Sequence, residues 1–306
     1  MRRTALLPAV LLAVPVTLAA QRPQPASPPG TLDRLRAGGV LHVGYRTDAR
    51  PLSFRDENGR AAGYSVALCQ AVVAEINRQP GLAGVTVDWV PATIDDRFEA
   101  LQQGTIDLLC GASSVTLARR AQVAFSIPIF DGGIGAIMRG DAPDTLRTVI
   151  AGQAQTFQPV WEASATQVLK GRAFAAVQGT TADTWLAAQI RARRVGGDPV
   201  RVASYEAGVQ AVLDNKADVL FGERAALFDA ARRHPQAGSL LVVDRFFTFE
   251  PLALGLPRGD EDLRLLVDRT LSRLYLSGDI NTIYAAWFGA PLNSAATFFR
   301  WSAIPQ

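Results

Sequence analysis

The chain has 306 residues, 48% hydrophobic and 19% charged, enough apolar material for the cores of two domains of ordinary size. Its formal charge of +3 falls to +1 once Arg2 and Arg3 are set aside, leaving 29 basic against 28 acidic residues. With no Lys/Arg-rich block and no interleaving of basic and aromatic residues, nucleic-acid binding is excluded.

Residues 1–20 read as a signal peptide: Arg2 and Arg3 are a positive start, Ala5 to Leu18 an apolar run, and Thr17 to Ala20 a small-residue cleavage zone. Pro8 and Pro15 break that run, which is too short for a membrane span. Residues 21–30 form a proline-rich linker. Thr31 to Gly39 then reads as a short helix with an N-cap threonine and terminal glycines. Val40 to Arg46 is a strand, and Glu57 to Arg60 a hairpin turn. Cys69, Val72, Val73 and Ile76 share one helical face, closed by Pro80-Gly81. Val85, Val87 and Trp89 alternate as a strand, Phe98 and Leu101 anchor a helix, and Ile106 to Cys110 is an apolar strand. This β-α-β-α-β rhythm predicts a largely parallel sheet covered by helices.

Ser126 to Gly133 breaks the rhythm and reads as a crossing between two lobes. Residues 141–170 show no strand and read as a loop or a short helical insertion. A second β/α run follows: strands at Phe174 to Val177, Val200 to Ala203, Ala217 to Phe221 and Leu240 to Val243, with helices between them. Ser204 caps one helix, and Phe247 to Leu252 is the return crossing. Asp260 caps a long amphipathic helix to Gly278, Ile280 to Phe288 is a further helix, and Phe298 to Trp301 an aromatic tail packed on the body. The expected division is lobe 1 at 31–129 and 252–306, and lobe 2 at 133–248 with the insertion near 141–170.

Two turns carry chemistry. Cys110-Gly111-Ala112-Ser113-Ser114 runs on to Arg119, and Val177-Gln178-Gly179-Thr180-Thr181 runs on to Asp183. Each follows an apolar strand and opens a helical pattern, where free N–H groups and the helix dipole favour an anion. Arg119 adds a planar cation suited to a carboxylate. The plainer alternatives are N-caps for Ser114 and Thr180, a solvated charge for Arg119 and a dipole-complementing acid for Glu223. Arg46 is likewise free to pair with Asp48, and Arg97 with Asp95 or Asp96.

Cys69 and Cys110 are the only cysteines. An even count in an exported chain favours a disulfide closing a loop of about 40 residues; the alternative is two buried thiols acting as small apolar side chains. No CxxC or HExxH spacing occurs, so no metal or cofactor is expected. His42 reads as a strand residue and His234 as a surface residue.

Gly39 to Tyr45, Pro51 to Phe54, Gly63 to Cys69, Leu101 to Asp107, Arg119 to Ser126, Gly179-Thr180-Thr181 and Trp287-Phe288-Gly289 stand in an informative order. Together they resemble the periplasmic amino-acid-binding proteins of polar amino-acid importers, solute-binding family 3, over Thr31 to about Gly289. The resemblance implies an α/β, two-lobed periplasmic-binding-protein fold (type II) with two hinge crossings. It implies a monomeric periplasmic receptor that closes on a polar L-amino acid and delivers it to an ABC permease. Arg119 then grips the ligand α-carboxylate with Ser114 and the Thr180–Thr181 loop, and Glu223 takes the α-ammonium where the family has aspartate. Arg46 and Arg97 match arginines that meet the side-chain carboxylate in glutamate/aspartate binders. Ala112 and Ile94 stand where those binders have serines, and Glu206 near a histidine position. The family also includes a dehydratase, for which Glu206 or Glu223 is the acid available.

Overall fold

The computed structural model describes residues 29–152, 162–291 and 293–305. The expected signal peptide, most of the linker and the middle of the 141–170 segment lie outside the described residues. Helix α1 (Thr31–Arg36) leads to β1 (Leu41–Arg46) and to three short antiparallel strands, β2 (Asp48–Ala49), β3 (Ser53–Arg55) and β4 (Ala61–Ala62). The hairpin turn forms as expected, with Gly59 at φ +77° and its amide donating to Asp56 O at 3.0 Å. The chain continues through α2 (Tyr64–Ile76), β5 (Val87–Ala92), α3 (Arg97–Gln102), β6 (Leu108–Ser114), α4 (Leu117–Arg120) and β7 (Ala124–Phe125).

After the first crossing come β8 (Ile134–Arg139), α5 (Asp144–Ala151), α6 (Glu162–Leu169), β9 (Phe174–Val177), α7 (Thr181–Arg193) and β10 (Val200–Val202). They are followed by α8 (Tyr205–Leu213), β11 (Val219–Glu223), α9 (Arg224–Arg233) and β12 (Leu240–Val242). The return crossing enters β13 (Leu252–Leu256), then α10 (Glu261–Ser277), α11 (Ile280–Phe288) and α12 (Asn293–Ser302). The insertion thus contributes two helices, α5 and α6.

Two five-stranded sheets result, ordered β5-β1-β6-β13-β7 and β10-β9-β11-β8-β12. Each is parallel in its βα part, but β13 runs antiparallel to β6 and β7, and β8 antiparallel to β11 and β12. Four strands of each sheet therefore run the same way, as the expectation of a largely parallel sheet has it, and β8 and β13 are the exceptions. β8 and β13 follow directly on the crossings without a turn, so chain order hides them, yet each enters its sheet with nearly every residue buried. The crossings lie side by side: Glu250 N donates to Gly132 O at 2.8 Å and Leu252 N to Phe130 O at 2.9 Å.

Alternate residues of the second sheet serve opposite faces. Ala136, Met138, Phe174, Ala176, Val219 and Phe221 meet α7, whereas Ile137, Ala175, Val177 and Leu220 meet α8 and α9. Burial on both faces is why these strands read as continuous apolar runs. In the first lobe, Tyr64, Phe130, Tyr284 and Phe288 form an aromatic cluster, and the Tyr64 and Tyr275 hydroxyls donate to Ile129 O and Pro128 O at 2.7 and 2.9 Å. These bonds fix the first crossing to this lobe. Cys69 of α2 and Cys110 of β6 form a buried disulfide, Cα–Cα 6.2 Å, which decides between the two cysteine readings.

Thr31 is not the cap of α1. Gly30 precedes the helix, and the Thr31 amide donates to Asp260 Oδ2 at 2.9 Å; Asp260 Oδ1 also caps α10 by accepting from Leu263 N at 3.3 Å. One carboxylate serves both helix starts. In the tail, Phe299 is buried against Tyr275 and Tyr284, while Trp301 stays 84% exposed.

Candidate functional site

Parallel strands followed by helices leave a crevice at their carboxyl ends, where side chains and free amides converge. Arg46 ends β1, Ser114 ends β6, Thr180 follows β9 and Glu223 ends β11. All four line one cavity between the sheets, together with Arg97, Ala112, Arg119 and Thr181; its enclosed space is about 30 Å³. The lobes stand close around it. A Cβ at Gly179 would lie 3.5 Å from Asp95 Oδ1 and 3.7 Å from Ile94, and Arg50 Nε is 3.7 Å from Asp229 Oδ2 across the interlobe gap.

Three guanidinium groups meet on the first-lobe side. Arg46 is buried and donates through Nε to Asp48 Oδ1 at 2.7 Å, so it both makes the expected pair and faces the cavity. Arg97 is also buried, but makes no pair with Asp95 or Asp96; Asp96 Oδ1 instead accepts from Thr93 N at 2.7 Å. The Arg97 plane lies 4.3 Å over the Phe98 ring, and its buried Nε has no partner among the described residues. Burial first, then the charges of Arg119 and Arg46, pushes Arg97 down to about 9. Arg119 donates from Nη1 to Ser114 O at 2.9 Å. Burial lowers its pKa too, with Glu250 opposing the fall.

The first anion turn differs from its sequence reading. Ser114 belongs to β6 and caps nothing; Thr116 is the cap, accepting from Arg119 N at 3.2 Å. Helix α4 has only four residues, too few for an additive dipole, so this side depends on Arg119 and the Ser114 hydroxyl. The second turn forms as expected. Thr180 Oγ1 caps α7 by accepting from Asp183 N at 3.2 Å and donates to Val177 O at 2.7 Å. The Thr181 hydroxyl donates to Glu250 Oε2 at 2.6 Å. With both hydroxyl protons engaged, α7 offers an anion its first-turn amides, Thr181 N and Ala182 N, which have no acceptor among the described residues.

Glu223 caps α9, accepting from Ala225 N at 3.3 Å and, through Oε2, from Gly133 N at 3.0 Å. Burial raises its carboxyl to about 8, with repulsion from Glu250 and Asp131 added and the two amide bonds opposing. It therefore holds a proton at neutral pH until a cation arrives.

Glu206 is corrected. It points away from the cavity, half exposed, and pairs with Arg233 Nη2 at 2.7 Å. Its neighbour Tyr205 lines the cavity instead, because one helical step rotates the side chain by about 100°. Tyr205 was missed, although a signal existed: like Thr181, it is the first helical residue after a parallel strand. Glu250 and Leu252, from the return crossing, were missed because no local pattern marks them. His42 lies in β1 with Nδ1 3.4 Å from Asp88, and His234 Nε2 is 3.2 Å from Gln210 Oε1. Among the described residues no group of metal-ligating side chains occurs, and no helix is long and apolar enough to cross a membrane.

This geometry can be placed among known proteins. An L-glutamate/L-aspartate-binding protein of Pseudomonas aeruginosa is 24% identical over 264 residues, covering 86% of this chain and 81% of that protein. Cyclohexadienyl dehydratase of Pseudomonas aeruginosa is 27% identical over 259 residues, covering 84% of this chain and 85% of that one. The crystal structure of an ancestral amino-acid-binding protein, a precursor of cyclohexadienyl dehydratase, superposes with a TM-score of 0.67 at 26% identity, over 85% of this chain and 100% of that one. The description that matches residues 41–290, from the first strand of the first sheet to the end of α11, is that of the bacterial extracellular solute-binding proteins, family 3, and the chain belongs to that family.

Proposed function

We propose that this chain is an exported, monomeric receptor that captures an acidic L-amino acid between its lobes and delivers it to an ABC permease. The observation that carries this reading is the convergence of Arg46, Arg97 and Arg119 on one cavity. Asp48 offsets one of these charges and Glu250 a second, and a protonated Glu223 offsets none, so the cavity keeps a surplus of positive charge that favours a dicarboxylate and disfavours a basic ligand. Arg119, the Ser114 hydroxyl and the α7 amides take the α-carboxylate, and Glu223 takes the α-ammonium. Arg97 and Arg46 receive the side-chain carboxylate. Relatives named for glutamate and aspartate support the same ligand class.

Titration calorimetry of the chain without its leader against L-glutamate, L-aspartate, L-glutamine and L-arginine tests the reading. The acidic pair binds most tightly. Stronger binding of arginine refutes the acidic assignment, and no thermal-midpoint shift with any amino acid refutes the amino-acid receptor, since a ligand of the native state must stabilise it.

A second reading, a periplasmic dehydratase, is supported by Glu223 and by the dehydratase relative. A carboxyl that keeps its proton to about pH 8 in a desolvated cavity suits general-acid work. Incubation with prephenate or arogenate separates the two, because a receptor returns its ligand unchanged.

A further inference from the structure

Consecutive residues of the return crossing touch both sides of the cavity. The Glu250 carboxylate accepts from the Thr181 hydroxyl through Oε2 at 2.6 Å and from the Thr248 hydroxyl through Oε1 at 2.9 Å. Its amide donates to Gly132 O on the first crossing at 2.8 Å. The next carbonyl, Pro251 O, accepts from Val115 N at 2.9 Å, one residue past Ser114. Thr181 begins α7, whose first amides face the cavity, and Ser114 leads to Arg119. A hydroxyl-to-carboxylate bond of this length is charge-assisted and directional, so it holds Thr181 in one place. Glu250 does not itself line the cavity.

We propose that Glu250 is a positioning residue of the anion site: by fixing Thr181 to the return crossing, it sets where the first-turn amides of α7 stand relative to Ser114 and Arg119. Its negative charge also helps keep the buried Arg119 ionised. The Thr181 hydroxyl then serves Glu250, not the ligand. This inference rests on the amino-acid-receptor reading, but the Glu250–Thr181 bond can be followed without a ligand.

The test uses the full chain without its leader, as Glu250→Ala, Glu250→Gln, Thr181→Val, Thr181→Ser and the Glu250→Ala/Thr181→Val double variant. L-Glutamate affinity and amide hydrogen exchange of the peptide spanning residues 178–184 are measured for each. Glu250→Ala and Thr181→Val each weaken L-glutamate about tenfold, the size of a lost charge-assisted bond, and the double variant loses no more than either single one. Thr181→Ser, which keeps the hydroxyl, loses less affinity than Thr181→Val, and Glu250→Gln, which keeps an acceptor for Thr181, loses less than Glu250→Ala. Exchange accelerates in both single variants and no further in the double. Additive losses would overturn the proposal, because Thr181 would then act on the ligand independently of Glu250. Unchanged exchange and affinity in Glu250→Ala would overturn it as well. If Glu250→Ala does not fold, Glu250→Gln against Thr181→Val gives the same comparison. If wild type does not take up L-glutamate, the acidic-ligand reading fails, and the exchange series alone decides the role of Glu250.

Discussion

Replacing Glu223 by glutamine isolates the cost of a charge at the second-lobe end of the cavity. Burial raises the carboxyl from 4.5 to about 8, so between these values the native state holds a proton that the unfolded chain has already released. Native stability therefore falls as pH rises through this window, and the full penalty is present above about pH 8. At about 1.4 kcal/mol per pH unit the window sets an upper limit of about 5 kcal/mol. Relaxation and water entry around the ionised group bring the expected figure to roughly 2–4 kcal/mol. Urea unfolding of wild type and Glu223→Gln at intervals from about pH 5 to about pH 9 measures it: the variant gains on wild type steadily and levels off near the top of the range. Parallel stability curves would refute the raised pKa and with it the buried position of the charge. An ammonium ligand must reverse the effect. Seated beside Glu223, it stabilises the carboxylate, so binding near pH 7 releases about one proton and its calorimetric enthalpy depends on the buffer.

Replacing both Arg46 and Arg97 by alanine should weaken acidic ligands far more than neutral ones; equal losses in titration would place both arginines outside the ligand's reach. A Cβ on Gly132 would lie 2.8 Å from both Glu223 Oε2 and Glu250 O, and the latter is backbone and cannot swing away, so Gly132→Ala should cost about 1–3 kcal/mol in chemical unfolding. An unchanged midpoint would show that the crossings yield more easily than they are packed here. Replacing Cys69 and Cys110 by serine should lower unfolding free energy by about 4 kcal/mol, from the loop of 41 residues that the disulfide closes. Urea curves that coincide with wild type would contradict that linkage.

Much of this site is written in short-range chemistry. The caps Thr180, Ser204 and Asp260 each accept the amide three residues on, a bond that depends on local backbone shape alone. The cavity-lining position of Arg46 follows from ending a parallel strand, which order and hydrophobic runs make visible, whereas β6 runs on past its apolar stretch to Ser114. What failed to show lies one level up. The resemblance points to Glu206, whereas the structure puts Tyr205 at the cavity, because helical phase against the second sheet is not legible along the chain.

The sequence by itself determined the alternation of strands and helices, the two polar turns and the presence of an arginine in the first of them. Tertiary structure alone decided that β8 and β13 enter their sheets antiparallel, that Cys69 meets Cys110, and that Arg46 has a carboxylate partner while Arg97 has no ion pair among the described residues. It also decided that Glu250, far from both turns in the chain, reaches Thr181. The physical reason is the same in each case: caps and turns are closed by neighbours a few residues away, whereas strand partners, disulfides and buried charge balance depend on groups that only the packing of two lobes about their crossings brings together.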